Sequence, residues 1–289
     1  MMTRSNKTIQ LNQWMITTRS RLLKKSSEPT STLWALLSFF TGKPQSWLIA
    51  HPEFQISLQK AKLINNAIER IINGYPLAYI IGQQAFYDLI FFTDSSVLIP
   101  RPETELMVET ALEWLRVNPN RHTTAEIGIG SGCVSVSLAY HVNDLCITAT
   151  DISWLALINA KKNIANHNLA NQIRLIQCDL LSSVYGKFDL ICANLPYIPR
   201  KELRNMEVSR FEPQVALDGG EDGLFLIRKF LKNSPQWLKT DGILLLEIES
   251  YQEKSVLSLA CSVFPQKSVR ILHDLASLPR LLVVENNPL

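Results

Sequence analysis

The sequence predicts an α/β chain. Its main body is a doubly wound, mostly parallel sheet of seven strands, preceded by a small helical domain that a β-hairpin joins to it. Three observations predict this class. From residue 123 onward, short apolar runs alternate with helix-like segments, as strand–helix–strand crossovers require. Several runs, Phe188-Asp189-Leu190-Ile191-Cys192-Ala193 among them, are nearly continuous in apolar residues, as expected where both faces of a sheet are covered. Residues 11–73 instead place apolar side chains at three- and four-residue spacing.

The chain has 289 residues, 46% of them hydrophobic and 19% charged, which suits two globular domains with sizeable cores. No apolar run approaches the ~20 residues of a bilayer span. Residues 1–10 are polar and lack a signal-peptide core, so a cytoplasmic protein is expected. The five cysteines are odd in number, widely spaced and free of any CxxC pair. They read as reduced core residues, with neither a disulfide framework nor a metal site expected. Charge is uneven: residues 1–85 carry ten Lys/Arg against three Asp/Glu, a net +7, and the rest carries a net −4. A basic module on a mildly acidic one suits an anionic partner or a solvated basic face.

In chain order, residues 1–75 form the helical domain, with Leu33, Leu36, Leu37 and Phe40, then Leu63, Ile64, Ala67 and Ile71, as buried stripes. Gly42-Lys43-Pro44 and His51-Pro52 divide it into short helices. Residues 76–100 read as the hairpin linker, with its polar turn at Thr93-Asp94-Ser95-Ser96. Residues 101–289 form the sheet domain. A helix opens at Pro102, with Glu103 and Glu105 in its first turn. Strands follow near 123–129, 146–151, 173–178, 188–193, 242–248, 268–273 and 280–285. Helices follow near 132–143, 154–167, 222–238 and 251–262. The connection from His273 to Pro279 is too short for a parallel crossover, so the last two strands pair antiparallel.

The chemistry gathers at strand ends. Glu126-Ile127-Gly128-Ile129-Gly130-Ser131-Gly132 sits where the first strand turns into a helix. There glycine allows a tight turn, and free helix N–H groups meet a ligand. The dinucleotide pattern fails, because Cys133 stands where its third glycine belongs. Asp151 ends the second strand, placed to accept two ribose hydroxyls, and Asp179 ends the third, within reach of an adenine amine. The fourth ends at Asn194-Leu195-Pro196-Tyr197. An Asn side-chain oxygen, a backbone carbonyl and a flat ring suit a planar NH2 group.

The glycine run with Asp151 and Asp179 resembles the cofactor motifs of class I S-adenosylmethionine-dependent methyltransferases, Rossmann-like enzymes. Asn194-Leu195-Pro196-Tyr197 resembles the (N/D)PPY motif of members that methylate planar-bound nitrogens. More narrowly, Pro76-Leu77-Ala78-Tyr79-Ile80-x-Gly82, Phe86-Tyr87, Leu98-Ile99-Pro100-Arg101-Pro102-Glu103-Thr104-Glu105 and Glu212-Pro213-x-x-Ala216-Leu217-x-Gly219-Gly220-x-Asp222-Gly223 resemble the HemK-type release factor glutamine N5-methyltransferases. The resemblance covers residue 75 to the end. It implies S-adenosyl-L-methionine as cofactor and S-adenosyl-L-homocysteine as product. The implied substrate is the Gln of a Gly-Gly-Gln loop on class 1 peptide chain release factors, with the helical domain recognising that protein. It also implies Glu126, Gly128, Ile129, Gly130, Ser131, Gly132, Asp151, Asp179, Leu180 and Asn194 around the cofactor, and Asn194, Leu195, Pro196 and Tyr197 around the amide. Tyr197 is expected to stack on the amide plane. A monomer with no stable nucleic-acid or membrane binding is expected.

Two positions depart from the family pattern: Glu126 where Asp is usual and Leu195 where Pro is usual. The Leu195 variant also occurs in adenine dimethyltransferases of ribosomal RNA. An exocyclic amine of adenine or cytosine in a nucleic acid is therefore the alternative substrate. A non-catalytic cofactor- or RNA-binding module is a third reading, disfavoured by the intact Asn194 and acidic strand ends.

Overall fold

The computed structural model describes residues 8–23 and 28–286. The polar stretch 1–7 lies outside them. The chain divides into two compact units, Met1–Gly82 and Gln83–Leu289.

In the first unit, β1 (Thr8–Gln10), α1 (Leu11–Leu22), α2 (Pro29–Thr41), α3 (Gln45–Ala50), β2 (Gln55–Ser57), α4 (Leu58–Ile72) and α5 (Leu77–Ile81) enclose one apolar core. Leu33, Leu36 and Leu37 are buried as their spacing requires. On α4 the buried stripe is Ala61, Ile64, Ala67 and Ile68, whereas Leu63 is 47% exposed. Leu63 lies about 100° round the helix from Ile64, so it cannot share that face. The pairing of β1 with β2 was not foreseen.

The hairpin differs from the expectation. Its strands are β3 (Gln83–Phe86) and β4 (Leu89–Phe92), and Tyr87 and Asp88 make the turn with φ of +45° and +60°. Two consecutive positive φ values are those of a type I′ hairpin turn, which matches strand twist. Residues 77–81 are helical, and Thr93-Asp94-Ser95-Ser96 forms an irregular bend in which Ser96 donates to Asp94. Glu105 Oε1 accepts the Tyr87 N–H at 2.9 Å and fixes the turn.

The second unit continues with α6 (Glu105–Val117), β5 (Thr123–Ile127), α7 (Cys133–His141), β6 (Cys146–Asp151), α8 (Trp154–Asn166), β7 (Ile173–Gln177), β8 (Phe188–Ala193), α9 (Arg200–Leu203), α10 (Phe225–Asn233), β9 (Leu238–Glu247), α11 (Glu253–Val263), β10 (Ser268–His273) and β11 (Pro279–Glu285). The seven-stranded sheet has the order β10-β11-β9-β8-β5-β6-β7. β11 runs antiparallel to both neighbours, and the other pairings are parallel. The expected helix over 222–238 is shorter, because Gly223 has φ +76° and Pro235 falls in a 3-10 turn before β9.

Apolar side chains alternate between two cores. Leu190, Cys192, Ile243, Leu245, Leu281 and Val283 face one core, with the hairpin, α6, α7 and α8. Ile191, Ala193, Leu244, Leu246, Leu282 and Val284 face the other, with α10 and α11. A strand with alternate side chains on opposite faces reads as a continuous apolar run when both faces are covered. The cysteines fit this pattern only in part: Cys192 is buried, whereas Cys146 and Cys261 are exposed. Cys146 begins an inner strand at its exposed first residue, and Cys261 lies on the outer side of α11.

Asn163 of α8 binds the hairpin to the loop after β5. Its Oδ1 accepts the Phe92 N–H at 2.7 Å, and its Nδ2 donates to the carbonyls of Phe92 at 3.0 Å and Ser131 at 2.8 Å. Asn163 is fully buried. Asn163→Ala leaves these backbone groups unpaired, and should lower stability by roughly 2–4 kcal/mol in denaturant unfolding of the full chain.

Candidate active site

β5 and β8 are parallel neighbours whose following helices pack on opposite faces of the sheet. Their carboxyl ends form the crevice where open α/β sheets bind ligands. A cavity of about 790 Å³ opens there. Among the described residues its walls include Glu126, residues 128–131, Asp151, Asp179, Leu180, and Asn194 to Pro196.

The alternating glycines have a conformational cause. Gly128, Gly130 and Gly132 have φ of +75°, +54° and +83°. At Gly128 a Cβ would also lie 3.3 Å from the Asn194 carbonyl oxygen. Glycine thus lets the β5 turn approach the end of β8. Gly132 does not line the cavity. It caps α7 where a Cβ would touch Ala160 of α8, so it serves packing between helices.

Asp151 holds the glycine turn. Its Oδ2 accepts the Gly130 N–H at 3.0 Å, and its Oδ1 accepts that of Ser153 at 2.8 Å. Burial raises its pKa above the usual carboxylate value, against the pull of these bonds. Its remaining lone pairs are available to ribose hydroxyls. Asp179 is half-buried and paired with Lys229.

Glu126 faces inward as well as lining the cavity. Its Oε2 accepts the N–H and hydroxyl of Ser135, in the first turn of α7. Burial pushes its carboxyl up to about 8, although the Ser135 bonds oppose the rise.

Asn194 lies beyond the end of β8. Its Nδ2 donates to Thr104 Oγ1 at 3.2 Å. Thr104 Oγ1 donates to Glu247 Oε2 at 2.6 Å. With Nδ2 engaged, Oδ1 remains the open acceptor of a side chain that lines the cavity. The Leu195 side chain is buried, which leaves its carbonyl as the polar group this residue offers.

Tyr197 is not among the residues that line the cavity. It packs against the apolar cluster beneath α10 and α11, and burial raises the pKa of its phenol. The chain turns away here. The Tyr197 carbonyl accepts Gln252 Nε2 at 3.1 Å, and a Cβ on Gly223 would sit 2.3 Å from that carbonyl oxygen. Residues 212–223 act as a support. Glu212 accepts Arg101 at 2.6 Å and the Ile99 N–H at 3.2 Å, while Ile198 pairs with Asp218. Sequence reading missed Thr104, Glu247 and Gln252 as partners of the Asn194 loop. The only signal was a glutamate directly after the apolar run Ile243-Leu244-Leu245-Leu246 of β9.

The residues fit an adenosyl cofactor. The cavity volume suits a nucleoside-sized ligand with a substrate side chain. The wall at Gly130 is open, since a Cβ there would meet only the Gly128 carbonyl, at 4.0 Å. Asp151 offers carboxylate acceptors beside it.

A folded-state pKa raised from 4.5 to about 8 gives Glu126 a definite sign. Its contribution to stability is complete below pH 4.5 and is lost as pH rises through about 8. The Glu126→Gln variant should match the wild type in acid. The wild type should become the less stable of the two by pH 8, as read from thermal unfolding across that range.

The family model described as the PrmC N-terminal domain matches residues 13–82, and the model described as the methyltransferase small domain matches residues 104–214. The chain is 39% identical over 248 residues to the release factor glutamine methyltransferase of Moorella thermoacetica, covering 85% of this chain and 87% of that protein. It is 32% identical to the enzyme of the same name from Chlorobaculum tepidum, covering 89% and 90%. A methyltransferase structure from Pyrococcus furiosus, 17% identical, superposes with a TM-score of 0.50 over 78% of this chain and 100% of that one, and shares the fold. Identity of this extent, across both units, makes the chain a member of the release factor glutamine methyltransferase family.

Proposed function

We propose that this chain transfers a methyl group from S-adenosyl-L-methionine to the side-chain amide nitrogen of the glutamine in the Gly-Gly-Gln loop of class 1 release factors, giving N5-methylglutamine. Its relatives carry that enzyme's name over most of their length. The observation that carries the reading here is the Asn194 amide, anchored through its nitrogen at the cavity's edge so that its oxygen is left to accept.

An amide nitrogen is a weak nucleophile because its lone pair is delocalised into the carbonyl. S-adenosyl-L-methionine, when bound, supplies an electrophilic methyl on a positively charged sulfur. Asp151 would hold the ribose hydroxyls, and the backbone at 128–131 would contact the rest of the cofactor. Asp179 and Leu180 would border the adenine. The Asn194 Oδ1 and the Leu195 carbonyl each accept one N–H of the substrate amide. Pro196 restrains the loop that carries them. This fixes the nitrogen with its lone pair toward the methyl, and the nitrogen sheds one proton after it gains the methyl group. Orientation alone can supply roughly 7–11 kcal/mol of barrier reduction, so no strong base is required. Tyr197 acts through the loop backbone rather than as a stacking wall.

The first unit docks the protein substrate, and its basic surface suits a partner that works beside RNA. The protein acts in the cytoplasm as a monomer. Among the described residues no helix is long and apolar enough to cross a membrane.

Tritiated S-adenosylmethionine, offered with release factor, DNA and RNA in parallel, tests the assignment. Label should enter release factor at glutamine, and label in nucleic acid alone overturns it. Asn194→Ala should lower the transfer rate at least a hundredfold with little change in cofactor affinity. Asp151→Ala should weaken cofactor binding about tenfold or more by calorimetry, through lost hydrogen bonds to a charged acceptor.

A further inference from the structure

Turning an asparagine amide by 180° exchanges its oxygen and nitrogen without changing its shape. Only one of the two orientations suits a substrate NH2. In the other, donor faces donor, and the substrate amide is repelled. The protein must therefore enforce the choice at Asn194.

Two buried polar side chains stand behind that amide. Thr104 lies in the 3-10 turn before α6, and Glu247 ends β9, next to β8. Each is 3% exposed. A hydroxyl carries one proton. Thr104 commits its proton to Glu247 Oε2 at 2.6 Å. Its oxygen can then meet Asn194 only as an acceptor, which selects the Nδ2 branch, found at 3.2 Å. An ionised carboxylate is acceptor-only, so Glu247 holds the Thr104 proton toward itself and away from Asn194. The pair thus excludes the flipped amide.

We infer that Glu247 and Thr104 are positioning residues, which lock the Asn194 amide with its oxygen toward the substrate nitrogen: Thr104 presents only an acceptor to the amide nitrogen, and Glu247 holds the Thr104 proton away from it. This rests on Asn194 acting as the acceptor in methyl transfer.

The lock depends on the charge of Glu247. A protonated Glu247 donates to Thr104, and this frees the Thr104 proton to bond the Asn194 oxygen in the flipped state. The groups that face Glu247 pull in both directions. Burial raises its pKa most, and the Glu103 carboxylate adds to that. The Thr104 bond, the Asn194 amide and the Arg280 guanidinium oppose it. Tyr197 and Cys133 also sense its charge. The carboxyl is left at about 7.

The test uses the full-length chain with release factor as substrate. Thr104→Val keeps the volume and removes the acceptor. It should lower kcat about tenfold or more while the S-adenosylmethionine dissociation constant stays within about twofold. Thr104→Ser should recover most of the rate. In the wild type kcat should fall as pH drops through about 7. Glu247→Gln should be slow, and its kcat should be flat over the same range. Wild-type kcat in Thr104→Val, or an unchanged acidic limb in Glu247→Gln, overturns the inference. If the valine variant does not fold, Thr104→Ala against Thr104→Ser decides, and equal rates overturn it. A wild-type chain that labels no release factor defeats the functional reading itself, which is a separate result.

Discussion

The close passage of the β5 turn by the end of β8 is the constraint on which the rest of the unit depends. Gly128 and the Asn194 carbonyl approach so nearly that a Cβ would stand 3.3 Å from the oxygen. Parallel pairing of β5 with β8 brings these ends side by side, and their crossovers leave toward opposite faces. The crevice between them is where the chain can present backbone and polar side chains without a covering helix. The glycine turn forms one wall of it and residues 194–196 form the other. Asp151 ties the first wall to β6 through Gly130, and Asn163 ties the same wall to α8 and the hairpin through Ser131. Cofactor wall and substrate wall are thus positioned by one register of the sheet.

Two carboxyls buried near this crevice, Glu126 and Glu247, are costly to charge, and burial is the largest cause of the raised pKa in each. Their partners differ. Glu126 is satisfied by the first turn of α7, so its task is to seat that helix behind the glycine turn. Glu247 accepts the Thr104 hydroxyl, which in turn meets the Asn194 amide, so its task is directional. The Ser135 N–H at Glu126 cannot reverse its donor sense, whereas the Thr104 hydroxyl at Glu247 and the Asn194 amide behind it can. That makes the second carboxyl the one whose charge state matters to the chemistry.

The sheet was legible because its physics is local. Continuous apolar runs at 188–193 and 242–248, with turn residues between them, imply strands buried on two faces, and both cores are present. The glycines and Asp151 were legible because backbone conformation and a carboxylate at a strand end leave a residue-type signature. The hairpin turn was misplaced because Tyr87 and Asp88 adopt positive φ without a glycine, under the hold of a glutamate 18 residues away. Leu63 was misplaced because one position on a helix separates the buried face from the exposed one. Tyr197 was read from its motif, and the hold on its backbone carbonyl by Gln252, 55 residues on, left no local sign. Thr104 and Glu247 are 143 residues apart, and no local pattern announces a hydrogen bond of that span.

The two most diagnostic stretches, 98–105 and 212–223, line the cavity and also hold each other in place. Glu212 is buried and binds both the Arg101 guanidinium and the Ile99 N–H, so it fastens the two stretches to each other. Gly219 and Gly223 press against the Tyr197 backbone so closely that any side chain would collide with it. Thr104 rides on the first stretch and reaches Asn194. These residues clamp the loop that presents Leu195 and Asn194 from both sides. A four-residue loop of two carbonyl acceptors has no intrinsic reason to hold one shape, particularly with Leu195 where a second proline is usual. Its preorganisation must come from its surroundings. Orientation is the chief source of rate for a nitrogen this unreactive, so the clamp residues are bound as tightly to the chemistry as those that touch the amide.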